Sequence, residues 1–111
     1  MRHYLNLHQE PFIAIKSGKK DIEMRLYDER RKVISVGDEI EFNNNQTNEK
    51  IIVDVVALHI FNNFEELYNA FPKERLGYLS NEVANPEDMG KYYPQELRDK
   101  YQVIGIEIKM K

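Results

Sequence analysis

Three charged residues that could do chemistry together, Lys20, Glu23 and Arg25, lie close to one another in the sequence. Lys20 can supply a point charge, or act as a general base where burial and a neighbouring cation such as Lys19 favour its neutral form. Arg25 carries a planar guanidinium that suits a phosphate or the edge of a base. Glu23 could orient either cation, accept a hydrogen bond from an exocyclic amine, or activate a water molecule.

The stretch around these residues alternates apolar and charged side chains, which predicts a β-strand near residues 21–27. Successive side chains of a strand point to opposite faces, so Glu23 and Arg25 are expected to share one face. The other face would carry Ile22, Met24 and Leu26. A surface ion pair is the competing interpretation, and it would contribute only about 0–1 kcal/mol to stability.

The net charge of −3 argues mildly against a nucleic-acid partner, because phosphate neutralisation requires a positive surface. The charge is unevenly distributed along the chain, however. Residues 16–32 hold seven basic and four acidic side chains, a net of +3, which leaves −6 for the remainder. This basic segment, which includes Arg30 and Arg31, would suit a site that meets a phosphate or another anion. A solvated loop is the alternative.

The composition is that of a globular protein, with 41% hydrophobic and 32% charged residues in a chain of 111. That length predicts a single domain spanning residues 1–111. The chain has no cysteine, which excludes disulfides, cysteine-based metal sites and a thiol nucleophile. Its three histidines are scattered and it has no Gly-rich phosphate loop, so we expect no metal site and no cofactor. Without a long apolar segment or a signal-peptide pattern, we expect a cytoplasmic protein with no membrane partner.

Periodicity and turn residues predict five strands, near residues 4–8, 21–27, 39–43, 50–61 and 102–110. The fourth is apolar on both faces, so it should be buried on both sides or bend.

Helices are expected from Pro11 to Ser17, after the N-cap Asn63 and after Pro94, whereas residues 72–93 should form short helical turns and loops. Strands joined by short polar turns favour an antiparallel or mixed small barrel, and therefore an α+β fold with short flanking helices.

Six short motifs occur along the chain. They are Leu5-Asn6-Leu7, Pro11-Phe12, Gly18-x-Lys20-x-x-Glu23-x-Arg25, Gly37-Asp38-x-Ile40-x-Phe42, Tyr93-Pro94 and Tyr101-x-Val103-Ile104-Gly105-Ile106. Together they resemble the ASCH family, which is related to the PUA-like RNA-binding barrels. The resemblance covers nearly the whole chain and implies a small β-barrel of about five or six strands. It also implies a cleft for RNA or nucleotides between the barrel and its helices, lined by the lysine, glutamate and arginine motif.

The family resemblance implies more than one activity. Its members include presumed RNA binders, ribonucleases, and small enzymes that deacetylate acetylated cytidine nucleosides. In these last enzymes a lysine acts as base, a threonine three residues later acts as nucleophile, and a glutamate completes the site. Lys20 falls on the lysine position, whereas Glu23 occupies the threonine position. A hydrolase built on Lys20 and Glu23 would therefore have to activate water directly.

Histidine and tyrosine side chains supply further candidates. His8 ends the first predicted strand and is a candidate for the cleft, whereas His59 is expected to be hydrogen-bonded at the edge of the core. Tyr92 and Tyr93 could stack on a base, with core packing as an equal alternative.

The sequence thus predicts a binding protein for RNA or a nucleoside-containing ligand. The predicted ligand-binding residues are Lys19, Lys20, Glu23, Arg25, His8, Arg30, Arg31 and Tyr93, and the candidate catalytic pair is Lys20 and Glu23. The alternative is a hydrolase that acts on RNA or on an acetylated or otherwise modified cytidine nucleoside. A protein-interaction module is a further alternative.

Overall fold

The computed structural model describes residues 1–111 and contains all five predicted strands. The strands are β1 Arg2–Leu7, β2 Ile22–Leu26, β3 Glu39–Asn44, β4 Lys50–Phe61 and β5 Val103–Met110. The α-helices are α1 Gln9–Lys16, α2 Phe64–Ala70 and α3 Gln95–Lys100, and two 3-10 helices span Lys73–Leu76 and Pro86–Lys91. None of these helices is long and apolar enough to cross a bilayer.

The strands form one mixed sheet in the order β1-β3-β4-β5-β2. β1 runs parallel to β3, and every other neighbouring pair is antiparallel. The sheet curls into a half-barrel, which confirms the predicted α+β fold. Its two edge strands meet through a side chain, because Nη2 of Arg25 in β2 donates to the carbonyl oxygen of Asn6 in β1 at 2.9 Å.

β4 bends in the middle instead of being buried along its whole length. Ile51, Val53 and Val55 are buried in its first half. The pairing with β5 then shifts register between Val55 and Ala57, as in a β-bulge. Such a bulge bends a strand and increases its twist, which helps a sheet to curl.

Two apolar clusters form the core. The larger packs α1 against the sheet and includes Phe12, Ile40 and Phe42. The second joins the apolar face of β2 to α2 and to both 3-10 helices, through Ile22, Met24, Leu26, Phe64, Leu67, Tyr68, Leu76, Met89 and Val103. Since side chains alternate along β2, Glu23 and Arg25 lie on the strand face opposite this second cluster.

α2 begins where its sequence predicts. The side chain of Asn63 accepts a hydrogen bond from the backbone N–H of Glu66 at 2.9 Å. The Glu66 carboxylate in turn accepts a hydrogen bond from the N–H of Asn62, one residue earlier than in the usual capping box. The capped helix fixes the start of the segment that runs from residue 71 to residue 93 and forms one wall of the candidate site.

Candidate functional site

A cleft of about 540 Å³ opens between β2, the junction of β1 with α1, and the segment 71–93. Its volume lies within the range of about 300–1,000 Å³ that is usual for small-molecule sites. Lys20, Glu23 and Arg25 form the wall on the β2 side. The other walls include Asn6, Leu7, His8, Tyr68, Gly77, Tyr78, Asp88, Met89, Tyr92 and Tyr93.

Glu23 is held between two cations. Its Oε1 lies 3.1 Å from Lys20 Nζ and its Oε2 accepts from Arg25 Nε at 2.8 Å. Glu23 is 3% exposed and Lys20 is 8% exposed. Burial alone would raise the pKa of Glu23, but the charges of Lys20 and Arg25 outweigh it, and the pKa lies below its usual value. Glu23 is therefore ionised, and both of its oxygens are engaged.

Arg25 connects the charged group to the far edge of the sheet. Burial would lower its pKa, but the Glu23 carboxylate more than compensates and raises it. Nε is bonded to Glu23 and Nη2 to the Asn6 carbonyl, and Nη1 takes part in neither contact. The side chain of Tyr93 lies close enough to raise the pKa of Arg25 further. Arg25 is thus oriented by three neighbours within the cleft.

Lys20 is covered by the backbone of the 71–93 segment. A methyl group built on Gly77 would lie 3.1 Å from Lys20 Cδ, so the glycine backbone packs directly on the lysine stem. Arg75 fixes this approach, since Nε and Nη2 donate to the Asp21 carboxylate at 2.9 and 3.1 Å. The N–H of Asp21 in turn donates to the Arg75 carbonyl at 3.1 Å. The 3-10 helix Lys73–Leu76 is therefore fastened to the start of β2.

A chain of hydroxyl groups and a carboxylate lies on the wall formed by the segment 71–93. Tyr78 Oη donates to Asp88 Oδ2 at 2.8 Å, and the Tyr68 and Tyr78 hydroxyl oxygens are 2.9 Å apart. Because an ionised carboxylate can only accept, Tyr78 donates its hydrogen bond to Asp88 and accepts one from Tyr68. Burial raises the pKa of both phenols, and the hydrogen bonds and the Asp88 charge raise that of Tyr78 further.

Two aromatic pairs border the cleft. The rings of His8 and Tyr92, both exposed, lie 5.5 Å apart and are tilted by 36°. Tyr93 is half-buried and stacks on Phe64 at 6.1 Å, which ties it to the second apolar cluster. Tyr92 consequently offers more open ring surface to a ligand than Tyr93 does.

The structure brings together five of the predicted site residues: His8, Lys20, Glu23, Arg25 and Tyr93 all line the cleft. Their part in binding stays a prediction. Lys19 and Arg30 are exposed on the surface and do not line the cleft, and neither does Arg31. Arg31 is nevertheless near Arg25, since burial and the charges of Arg25 and Arg30 lower the pKa of Arg31.

Sequence reasoning missed the wall that contains Tyr68, Tyr78 and Asp88. The Asn85-Pro86 pair could have indicated part of this wall. The side chain of Asn85 accepts from the N–H of Glu87 at 2.9 Å and caps the start of the second 3-10 helix. This start would have placed Asp88 in a first helical turn. Nothing in the sequence indicates that Tyr78 lies beside it.

His59 accords with its prediction and stands apart from the cleft. Its Nε2 lies 2.9 Å from Glu107 Oε1, and its ring packs edge-on against Phe71. No group of three histidine, aspartate or glutamate side chains is arranged to hold a metal ion.

A family model, the ASCH domain, matches residues 5–110. The chain belongs to the ASCH family. This ASCH chain is similar to the hypothetical protein PH0355, known from a crystal structure, with 31% identity, full coverage of both chains and a TM-score of 0.83. It is also similar to protein PF0455 from Pyrococcus furiosus, solved by NMR, with 33% identity over 99% of this chain and 97% of that one, and a TM-score of 0.73.

A mutant of ZmASCH from Zymomonas mobilis shares the ASCH fold at 18% identity. The match covers 97% of this chain and 67% of that one, with a TM-score of 0.64. No curated protein matches the sequence.

Proposed function

We propose that this ASCH domain binds RNA or a nucleoside-containing ligand in the cleft, with Lys20, Glu23 and Arg25 contacting the ligand. The observation that carries this proposal is the set of three charges on the wall of an open cleft, in which the buried Glu23 pairs with the buried Lys20 and the half-buried Arg25. Replacing a buried ion pair by apolar residues of similar volume is often neutral or stabilising. Stability is therefore a weak explanation for the set, and this supports a role in ligand recognition.

The shape and chemistry of the cleft suit a base better than a run of phosphates. The charged residues of its walls are the cations Lys20, Arg25 and Lys91 and the carboxylates Glu10, Glu23, Glu82 and Asp88. With carboxylates outnumbering cations, few phosphates can be neutralised there. The exposed His8 and Tyr92 rings offer a face on which a base can stack. The proposed ligand is one nucleoside unit, either free or in a single strand.

Titration of a labelled single-stranded RNA and of free nucleosides would test the proposal. We expect Arg25→Gln to weaken binding by about tenfold, because a charged donor to the base or sugar is lost. The matched control is Arg2→Gln, which removes an arginine on the surface of β1 outside the cleft. The control should bind like the wild-type protein.

The salt dependence of RNA binding provides a second measurement. Each phosphate contact to a single strand contributes a slope of about −0.7 to log affinity against log salt concentration. With Lys20, Arg25 and Lys91 as the cations of the cleft, we expect a slope no steeper than about −2. Failure of both RNA and nucleosides to bind at low salt would overturn the proposal and favour a protein-interaction module.

A hydrolase acting on RNA or on a modified cytidine nucleoside is the second candidate. The observation that favours it is the Lys20–Glu23 pair, at 3.1 Å, facing the cleft where a water could meet both groups. Because the pKa of Glu23 is lowered, this carboxylate is a weak base, and its part would be to orient Lys20 and the water. Incubation with RNA and with acetylated cytidine would test this. Turnover that survives in both Lys20→Met and Glu23→Gln would assign the activity elsewhere.

A further inference from the structure

Asp88 lines the cleft, and only one of its two carboxylate oxygens accepts a hydrogen bond from the protein. Oδ2 accepts from Tyr78 at 2.8 Å, and no basic side chain pairs with this half-buried aspartate. The other acidic residues at the rim, Glu10 and Glu82, are exposed. Glu82 is also held, because its Oε1 accepts from the N–H of Leu79 at 2.6 Å, but Asp88 is the half-buried carboxylate of this wall.

Two tyrosines behind Asp88 fix its orientation. Tyr68 donates to Tyr78, Tyr78 donates to Asp88, and the two phenol rings pack edge to face with centroids 5.8 Å apart. Tyr78 also lies 3.4 Å from the Asn85 carbonyl oxygen. Since Tyr78 donates to Asp88 and an ionised carboxylate carries no proton of its own, the other oxygen of Asp88 can only accept a hydrogen bond from a ligand.

The cleft offers both hydrogen-bond donors and acceptors to a ligand. Lys20 and Arg25 carry only donors, whereas Asp88 carries only acceptors, and all three line the same cavity. A ligand that forms hydrogen bonds with both the two cations and Asp88 presents an acceptor to the cations and an N–H group to Asp88. A carbonyl oxygen facing Asp88 would leave two acceptors opposed and unpaired, which disfavours binding.

We propose that Asp88, positioned by Tyr78 and Tyr68, makes the cleft select nucleosides whose base carries an exocyclic amino group over those with a carbonyl at the same position. This inference rests on the proposed function and adds a substrate class to it. The selected feature is the amino group of the base, in purines and pyrimidines alike.

Two matched pairs of nucleosides test the inference, adenosine against inosine and cytidine against uridine, each titrated by calorimetry into the chain of residues 1–111. We expect the wild-type protein to prefer the amino member of each pair by about tenfold, as for a hydrogen bond to a charged group. Asp88→Asn should reduce the preference to about twofold or less, because an amide can turn either its donor or its acceptor to the base. Tyr78→Phe keeps the Asp88 carboxylate but removes the hydrogen bond that orients it, so this variant should give an intermediate preference.

Asp99→Asn is the control, because it makes the same chemical change on exposed α3 outside the cleft, and it should retain the full preference. A wild-type protein that binds both members of each pair equally would overturn the inference, as would an unchanged preference in Asp88→Asn. If Arg25→Gln still weakens binding in those cases, the proposed function stands alone. If none of the four nucleosides binds, and RNA does not bind either, the inference and the proposed function both fail.

Discussion

Glu23 lies between Lys20 and Arg25 with almost no exposure to water, and this environment determines what the residue can do. Its lowered pKa keeps it ionised, so it can hold both cations in place but accepts a proton poorly. A carboxylate of this kind orients neighbouring groups for a ligand. In the hydrolase alternative, Lys20 would therefore have to carry out most of the acid–base chemistry.

Glu23→Gln should lower the free energy of unfolding by about 3 kcal/mol, because it leaves two nearly buried cations without an anion. The loss can be measured by urea denaturation at neutral pH. Glu65→Gln, at an exposed position of α2, serves as the control and should change stability by less than about 0.5 kcal/mol. Equal stability of Glu23→Gln and the wild-type protein would show that water, and not Glu23, stabilises the charges of Lys20 and Arg25.

At the scale of elements, the segment 71–93 determines the cleft as much as β2 does. It supplies Gly77 against the Lys20 stem, the Tyr78–Asp88 hydrogen bond and the exposed ring of Tyr92. Arg75 and its bonds to Asp21 hold the first part of the segment to the sheet. A change in this segment is therefore expected to alter the cleft while leaving the sheet intact.

Gly77→Ala should destabilise the protein more than Gly37→Ala. Both glycines have positive φ, +103° and +93°, so alanine meets a backbone strain of roughly 1–2 kcal/mol at either position. At Gly37 a new Cβ has nothing within 4 Å, whereas at Gly77 it meets Lys20 Cδ at 3.1 Å. Thermal unfolding of the two variants measures the difference. Equal losses would mean that the lysine stem moves aside without cost.

The sequence predicted elements whose signals are local and missed contacts that depend on the folded chain. Alternation located β2, and the side-chain acceptor of Asn63 located α2, because both effects act within a few residues. The same alternation put Glu23 and Arg25 on one face, whereas the cleft that they line with Lys20 was implied by the family resemblance. In contrast, the hydrogen bonds from Tyr68 to Tyr78 and from Tyr78 to Asp88 join positions in different elements. Only the packing of α2 and both 3-10 helices against β2 brings them together.

At the scale of the whole molecule, paired carboxylates predict loss of stability in acid. Asp38 accepts from His3 at 2.8 Å and from the N–H of Ser35 at 3.0 Å, which lowers its pKa from 3.8 to about 2. The unfolded chain thus binds a proton at Asp38 more readily than the folded one does. The stabilisation is present above pH 4 and is lost as the pH falls towards 2.

Urea midpoints measured between pH 7 and pH 2 should therefore fall for the wild-type protein across the lower part of this range. Asp38→Asn should be less stable at pH 7 and should show a shallower fall below pH 4, because it no longer takes up that proton. Asp99→Asn on exposed α3 should follow the wild-type curve. Parallel curves for Asp38→Asn and the wild-type protein would contradict the assignment.

The position of β2 at one edge of the sheet also sets the order in which the cleft can form during synthesis. β2 pairs with β5 alone, and β5 is made from residues 103–110. Until those residues leave the ribosome, β2 has no strand partner, and Glu23 and Arg25 have no sheet to hold them beside Asn6. Closing so long a loop costs chain entropy before any contact is gained. Occupancy of the cleft by a ligand would thus distinguish chains in which β2 has paired with β5 from chains in which it has not.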